Sequence, residues 1–285
     1  MPTKFLSPAQ IEHFSRHGFL PPVRILDESE AQALRAEVEQ FETNYPKLKG
    51  QLDFKANLIL PCIDRLSRDT RLLDLMEDLL GPDLLHWNST FRIKEPKTSQ
   101  HAAWHQDTAY IKLKPFLSIC WLALSSANSK SGCLRVIPGS HLGPLLGHSE
   151  GNDPDSILSR AQYINETFDQ SDAIDIELAP GETTVINHSI IHSSNPNQSD
   201  DRRIGLLMDY LPTSAVKEGP RDTAILVRGE DHFGHFELET GPVSDDPLRN
   251  VEHQRHSLKA ITKPCTRTRS TNPKGCPRRQ TLHFL

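Results

Sequence analysis

At Gly81-Pro82 the texture of the chain changes, and this limits the possible folds more than any other feature. Before it, apolar residues recur at helical spacing between well-marked caps. Ser7-Pro8-Ala9-Gln10 offers an N-cap, a proline at the first helical position and a glutamine at the third. Ile11 and Phe14 supply the apolar face, and Gly18 is the stop. A second helix is expected from Asp27, with Glu30 completing a capping box, to about Phe41. A third carries Leu72, Leu73, Leu75, Met76, Leu79 and Leu80 up to Gly81. Residues 45–51 read as a loop, and residues 52–60 read weakly as extended.

After Gly81 the apolar runs are short and turn-punctuated. Strands are expected at Leu84–Lys94, Trp104–Leu113, Phe116–Leu124, Cys133–Pro138, Ala173–Leu178, Thr183–Asn187, Ile190–His192, Arg203–Leu211 and Ala224–Val227. Helices followed by turn-spaced strands imply a β-sandwich or barrel packed on a helical layer. Residues 143–172 are polar and broken by Gly and Pro, so they read as a long excursion with one short helix, able to act as a lid. From about Asp245 the pattern fails. The stretch from Lys263 to Arg279 is basic and polar, and residues 263–285 are expected to be a disordered tail. The organisation expected is one domain over 1–262, with a helical layer at 1–82 and a β core at 83–235.

Within the β-rich part, Trp104-His105-Gln106-Asp107 places an imidazole and a carboxylate two residues apart. In an extended strand such residues point to one face. A second His from elsewhere would complete two His and one carboxylate, the set used by non-haem Fe(II) oxygenases. Spacing alone is weak evidence, because 14 His and 37 acids in 285 residues give roughly two His-x-acid tripeptides by chance. There are three: His105-x-Asp107, His148-x-Glu150 and His235-x-Glu237. The latter two lie in polar or charged surroundings and read as surface residues. His192 follows Ile190-Ile191 in strand context, and Arg203 opens the next strand eleven residues later. An arginine there can clamp a carboxylate with its planar fork. Arg202 is its competitor, and strand alternation sends the two to opposite faces.

These motifs resemble the phytanoyl-CoA dioxygenase family of Fe(II)/2-oxoglutarate oxygenases. The resemblance rests on Trp104-His105-Gln106-Asp107, the run Ser131–His141, Ala179-Pro180-Gly181-Glu182, His192–Asn197 with Arg203, and Arg16–Leu20, spanning roughly residues 8–235. It implies a double-stranded β-helix (jelly roll, cupin-like) with helices outside. It implies His105, Asp107 and His192 as iron ligands, Arg203 and Ser194 on the 5-carboxylate of 2-oxoglutarate, and Thr90 and Trp121 lining the cosubstrate pocket. The reaction implied consumes O2, releases succinate and CO2 and oxidises a substrate C–H. A carboxylate at 107 favours hydroxylation over halogenation, because halogenating relatives carry a small residue there. Arg135, between apolar neighbours, faces either solvent or the barrel interior.

Net charge of −5 and a pI near 6.3 argue against a nucleic-acid scaffold and give no polybasic membrane signal. No apolar run reaches the length of a membrane span, and the N-terminus lacks a signal-peptide core. The five cysteines are odd in number and scattered, so a reducing, cytoplasmic location is expected, with Cys120 and Cys133 as inert core thiols. The partner expected is a small-molecule substrate, with oligomeric state open. Two other classes use the same residues: a zinc-type hydrolase or isomerase, and a non-catalytic jelly-roll binding protein.

Overall fold

The computed structural model describes residues 3–115 and 118–261. Its frame is a seven-stranded sheet faced by a four-stranded one, with helices covering the outer side of the larger. The larger sheet is built around Arg203–Pro212, which lies antiparallel between Leu84–Lys94 and Ser118–Ala123. Glu182–Asn187 and Thr223–Arg228 extend it on either side. In the smaller sheet His192–Ser194 pairs with Ala102–His105 on one edge and Leu134–Val136 on the other, and Ile174–Ile176 follows.

Strand alternation divides the core in two. Along Arg203–Pro212, Ile204, Leu206, Met208 and Tyr210 pack against the helical layer with Leu72, Met76, Phe14 and Val38. Leu207 turns the other way, into the space between the sheets, with Trp121, Ile119, Leu134 and Val136. Each such buried side chain contributes roughly 1.5–3 kcal/mol of transfer free energy. The residues in phase with Leu207, namely Arg203, Gly205 and Asp209, therefore face the interior between the sheets.

The helical layer follows its capping signals. Pro8–His17 has the Ser7–Gln10 capping box and ends at Gly18. That glycine has φ 79°, and an added Cβ would lie 2.5 Å from the His141 ring. Glu28–Asn44 starts at Asp27 with its Glu30 box and runs three residues beyond Phe41. Thr70–Leu80 stops at Gly81.

Five expectations are corrected. Residues 52–60 are not extended: they complete the 3-10 turn Pro46–Asp53, form another at Ala56–Leu58, and lead into a helix at Pro61–Ser67. Leu52, Ala56, Leu58, Ile59 and Leu60 are buried, Phe54 half-buried, and compact turns satisfy the backbone without a partner strand. Trp104–Leu113 is not one strand. It ends at His105, and Tyr110 and Ile111 bond back to the carbonyl of Asp107 in a 3-10 turn. The expected Ile190–His192 strand is shifted, and runs His192–Ser194. The excursion 143–172 holds no helix; His148–Ser149 and Tyr163–Ile164 pair as a short ribbon. After Asp245 the chain forms the helix Pro247–Ile261. Its buried anchors include Asn250 and Gln254, four apart, whose amides donate to carbonyls of Ile59, Ser244, Gln51 and Phe54. The expected tail at 263–285 lies outside the described residues. No helix among the described residues is long and apolar enough to cross a membrane.

Candidate metal centre and anion pocket

His105 ends one strand of the small sheet and His192 begins its neighbour, directly opposite in register. Their ring centroids are 4.1 Å apart. Each Nδ1 donates to a carbonyl two residues back, Ala103 at 2.8 Å and Ile190 at 3.0 Å. A carbonyl can only accept, so both imidazoles carry their proton on Nδ1 and present an Nε2 lone pair. Those Nε2 atoms lie 3.5 and 3.7 Å from the two oxygens of Asp107. The three groups each offer a ligand atom, all within 4.8 Å of one another, the one such His/Cys/Asp/Glu group among the described residues.

Asp107 itself lies on the 3-10 turn. The same-face argument still works across one residue, because Gln106 is extended (φ −123°, ψ 126°). Burial opposes ionisation of Asp107, but His192 and His105 outweigh it and hold the carboxyl well below the usual range. Burial, reinforced by His105, pushes His192 down to about 4. At neutral pH Asp107 is an anion and His192 a neutral nitrogen donor.

Gln106 is 1% exposed and ties the centre to the excursion. Its amide donates to Ser189 O (2.9 Å), and its side-chain oxygen accepts from the Leu146 N–H (3.0 Å). Its backbone N–H donates to Nε2 of His148 at 2.9 Å, while His148 Nδ1 meets Leu146 O at 2.8 Å. His148 is therefore a half-buried support of the centre rather than the surface residue expected. His235, from the other rival pair, bonds to Ala215 O and joins no cluster.

Arg203 is 2% exposed and stacks over Trp121, its guanidinium carbon 5.3 Å from the ring centroid. Its Nε and Nη2 have no hydrogen-bond partner among the described residues. Two buried guanidinium donors without an acceptor mark a place for an anion. Burial pulls the guanidinium to about 10, so it stays charged. Arg202 turns outward to Glu95, Glu42 and Glu39. Gly205 has a steric reason: a Cβ there would lie 2.2 Å from the Trp121 ring.

Trp121 and Thr90 flank Leu207 on the two adjoining strands, one row from Gly205. Thr90 Oγ1 accepts from Asn88 Nδ2 at 2.8 Å, leaving its own proton free to donate. Ser194 Oγ accepts from Lys94 Nζ at 2.7 Å. Arg135 bonds Asp175 at 2.8 Å and covers Trp104. It alternates with Val136, which pairs with His192, so it lies on the outer face of the small sheet, away from the barrel interior. Cys62, Cys120 and Cys133 are buried free thiols, each pushed up by burial to about 12.

Sequence reading missed the remaining polar wall. Asn88, Thr90, Arg92 and Lys94 alternate along Leu84–Lys94 and face Asp209, Leu207, Gly205 and Arg203 in turn. Asn88 Nδ2 reaches Asp209 Oδ2 at 2.9 Å. Burial, with Asp107 adding to it, pushes the Asp209 carboxyl up to about 7. The signal was available, since polar residues recurring at period two from Asn88 to Lys94 imply a polar face.

The family model described as Phytanoyl-CoA dioxygenase (PhyH) matches residues 14–205. A probable phytanoyl-CoA dioxygenase of Caenorhabditis elegans is 28% identical over 148 residues, 49% of this chain and 47% of that protein. A probable alpha-ketoglutarate-dependent hypophosphite dioxygenase of Stutzerimonas stutzeri is 29% identical over 164 residues, 56% of each. The chain thus spans about half the length of these curated relatives. Among solved structures, the non-heme monooxygenase ThoJ in its apo form is 29% identical with a TM-score of 0.79, over 88% of this chain and 95% of that one.

Proposed function

Because the chain belongs to the phytanoyl-CoA dioxygenase family, we propose that it is an Fe(II)- and 2-oxoglutarate-dependent oxygenase that hydroxylates, or otherwise oxidises, an unactivated C–H of a small molecule. In this reading residues 1–262 work as one oxygenase domain. His105, Asp107 and His192 would hold iron through two imidazole nitrogens and a carboxylate. Arg203 pairs with the far carboxylate of 2-oxoglutarate, assisted by the Ser194 hydroxyl, while Thr90 and Trp121 line the space between. Bound together, iron and 2-oxoglutarate supply the oxidising power, with O2 consumed and succinate and CO2 released.

The chain's own residues orient and exclude. The carbonyls of Ala103 and Ile190 fix the tautomer of each histidine, so both Nε2 lone pairs face Asp107 before any ion arrives. Trp121 stacked on Arg203 keeps one guanidinium face dry, which strengthens a charge-assisted bond to a carboxylate. The apolar wall of Leu207, Leu134 and Val136 limits water between the sheets. The described cysteines, Cys62, Cys120 and Cys133, are buried free thiols, which fits a reducing, cytoplasmic setting.

The observation that carries the reading is Arg203. A zinc hydrolase could use the same triad but has no need of a buried guanidinium with two orphaned donors on the facing sheet. The test is anaerobic titration of Fe(II)-loaded protein with 2-oxoglutarate, followed at the visible metal-to-ligand charge-transfer band. A band in the wild type that weakens in Arg203→Ala is expected. Folded, metal-loaded protein with no band would move the assignment to a zinc-type enzyme or a binding module. Asp107→Ala separates those two, since only the module keeps its ligand affinity.

A further inference from the structure

Lys94 is fully buried, with 0% exposure, beside the anion pocket. It ends the Leu84–Lys94 strand directly opposite Arg203. No carboxylate pairs with it among the described residues. Its Nζ meets three neutral oxygens instead: Ser194 Oγ at 2.7 Å, the carbonyl of Asn195 in a short contact, and the carbonyl of Gly132 at 3.5 Å. Those oxygens come from the two segments that close this end of the barrel. Gly132 makes the convergence possible: it has φ +72°, and a Cβ there would lie 2.1 Å from Asn195 O.

Such an arrangement constrains a hydroxyl. Burial, with Arg203 beside it, pulls the Lys94 ammonium down to about 6, and a carboxylate arriving in the pocket restores the charged form. An ammonium has no lone pair, so in that state Lys94 can only donate to Ser194 Oγ. Ser194 must then send its own proton elsewhere, and it has no protein acceptor among the described residues. Together with Arg203 Nε and Nη2, that makes three buried donors without an acceptor around one small region.

We propose that Lys94 is a positioning residue for the cosubstrate: by donating to Ser194 Oγ it commits that hydroxyl to donate to the carboxylate held by Arg203. Without Lys94 the hydroxyl is free to turn toward the nearby carbonyl of Asn195 and is lost to the ligand. The inference rests on 2-oxoglutarate being the cosubstrate.

A double-mutant cycle with Lys94→Met and Ser194→Ala tests it, read as the dissociation constant of 2-oxoglutarate for Fe(II)-loaded protein by anaerobic calorimetry and by the charge-transfer band. Each single variant is expected to bind 2-oxoglutarate about tenfold more weakly, the scale of one hydrogen bond to a charged group. The double variant is expected to be no weaker than the weaker single, because both remove the same contact. Fe(II) affinity measured without 2-oxoglutarate stays within about twofold of wild type in each variant. Wild-type affinity in Lys94→Met overturns the proposal. So do losses that multiply in the double variant, or a parallel loss of iron affinity, which is what a merely structural lysine would give. Should Lys94→Met not fold, Lys94→Leu carries the same cycle. Absence of any 2-oxoglutarate binding by the wild type would instead sink the cosubstrate assignment itself.

Discussion

Replacing His148 with leucine removes the acceptor of the backbone N–H of Gln106, the one residue between two proposed iron ligands. Leucine fills much the same volume, so the loss is mainly polar. A buried N–H left without a partner costs about 1–3 kcal/mol. At about 2–4 °C per kcal/mol for a chain of this size, the melting temperature should fall by roughly 2–12 °C. The effect on metal should be larger in proportion. Outer-shell partners typically change metal affinity by 10–100-fold, and here the stranded amide lies next to both His105 and Asp107. The assay is competitive titration of Fe(II), under argon, against a chelating indicator at pH 7.5, with the melting temperature taken on the same samples. Asparagine at 148 offers an acceptor oxygen and should recover part of the affinity. Burial holds His148 below the ordinary histidine value. The unfolded chain therefore takes up the proton first, and this part of the stability is present at neutral pH and declines as pH falls below about 6.5. His148→Leu should flatten that decline. Wild-type iron affinity in a folded His148→Leu protein would refute the argument that the excursion supports the triad.

Asp209→Asn should flatten another pH dependence. The carboxyl sits near 7 when folded, against 3.8 for its reference, so the native state binds the extra proton and stability falls as pH rises from about 4 to 7. Urea denaturation of metal-free protein should show wild type losing a few kcal/mol across that window, and the variant losing much less. Gly205→Val pushes a side chain into the Trp121 ring, with the first atom at 2.2 Å, and should cost about 1–3 kcal/mol of stability together with 2-oxoglutarate affinity. Thermal melts and the charge-transfer titration check both. Arg202→Ala loses the outward contacts to Glu95, Glu42 and Glu39 and should cost on the order of 1 kcal/mol or less while leaving 2-oxoglutarate binding unchanged. Equal damage from Arg202→Ala and Arg203→Ala in that titration would undo the assignment of the interior face.

The parts of the fold that could be read in advance are those where local chemistry and tertiary packing agree. Ser7, Asp27, Gly18 and Gly81 mark helix ends by satisfying or releasing backbone groups, and they do so whatever packs above them. Leu84–Lys94 was legible to the residue because both faces are buried and turns bound it. The metal cluster was legible for a less secure reason. His105 and Asp107 share a face only because Gln106 is extended, and the strand that seemed to justify the spacing stops one residue earlier. What resisted reading is buried polarity. Asn250 and Gln254 anchor a helix with amides where apolar periodicity would have announced it. His148 supports Gln106 from a loop that looks solvated, and Lys94 satisfies three oxygens in a place where a lysine suggests solvent. In each case the side chain is inside because a specific acceptor or donor, far away in sequence, makes burial tolerable. Periodicity registers only the average polarity of a face, so it cannot register such partners. The same limitation explains why the proposed cosubstrate pocket was seen through Arg203, Ser194, Thr90 and Trp121 without Asn88, Arg92 and Lys94, which complete a wall of alternating polar residues on the strand beside that arginine.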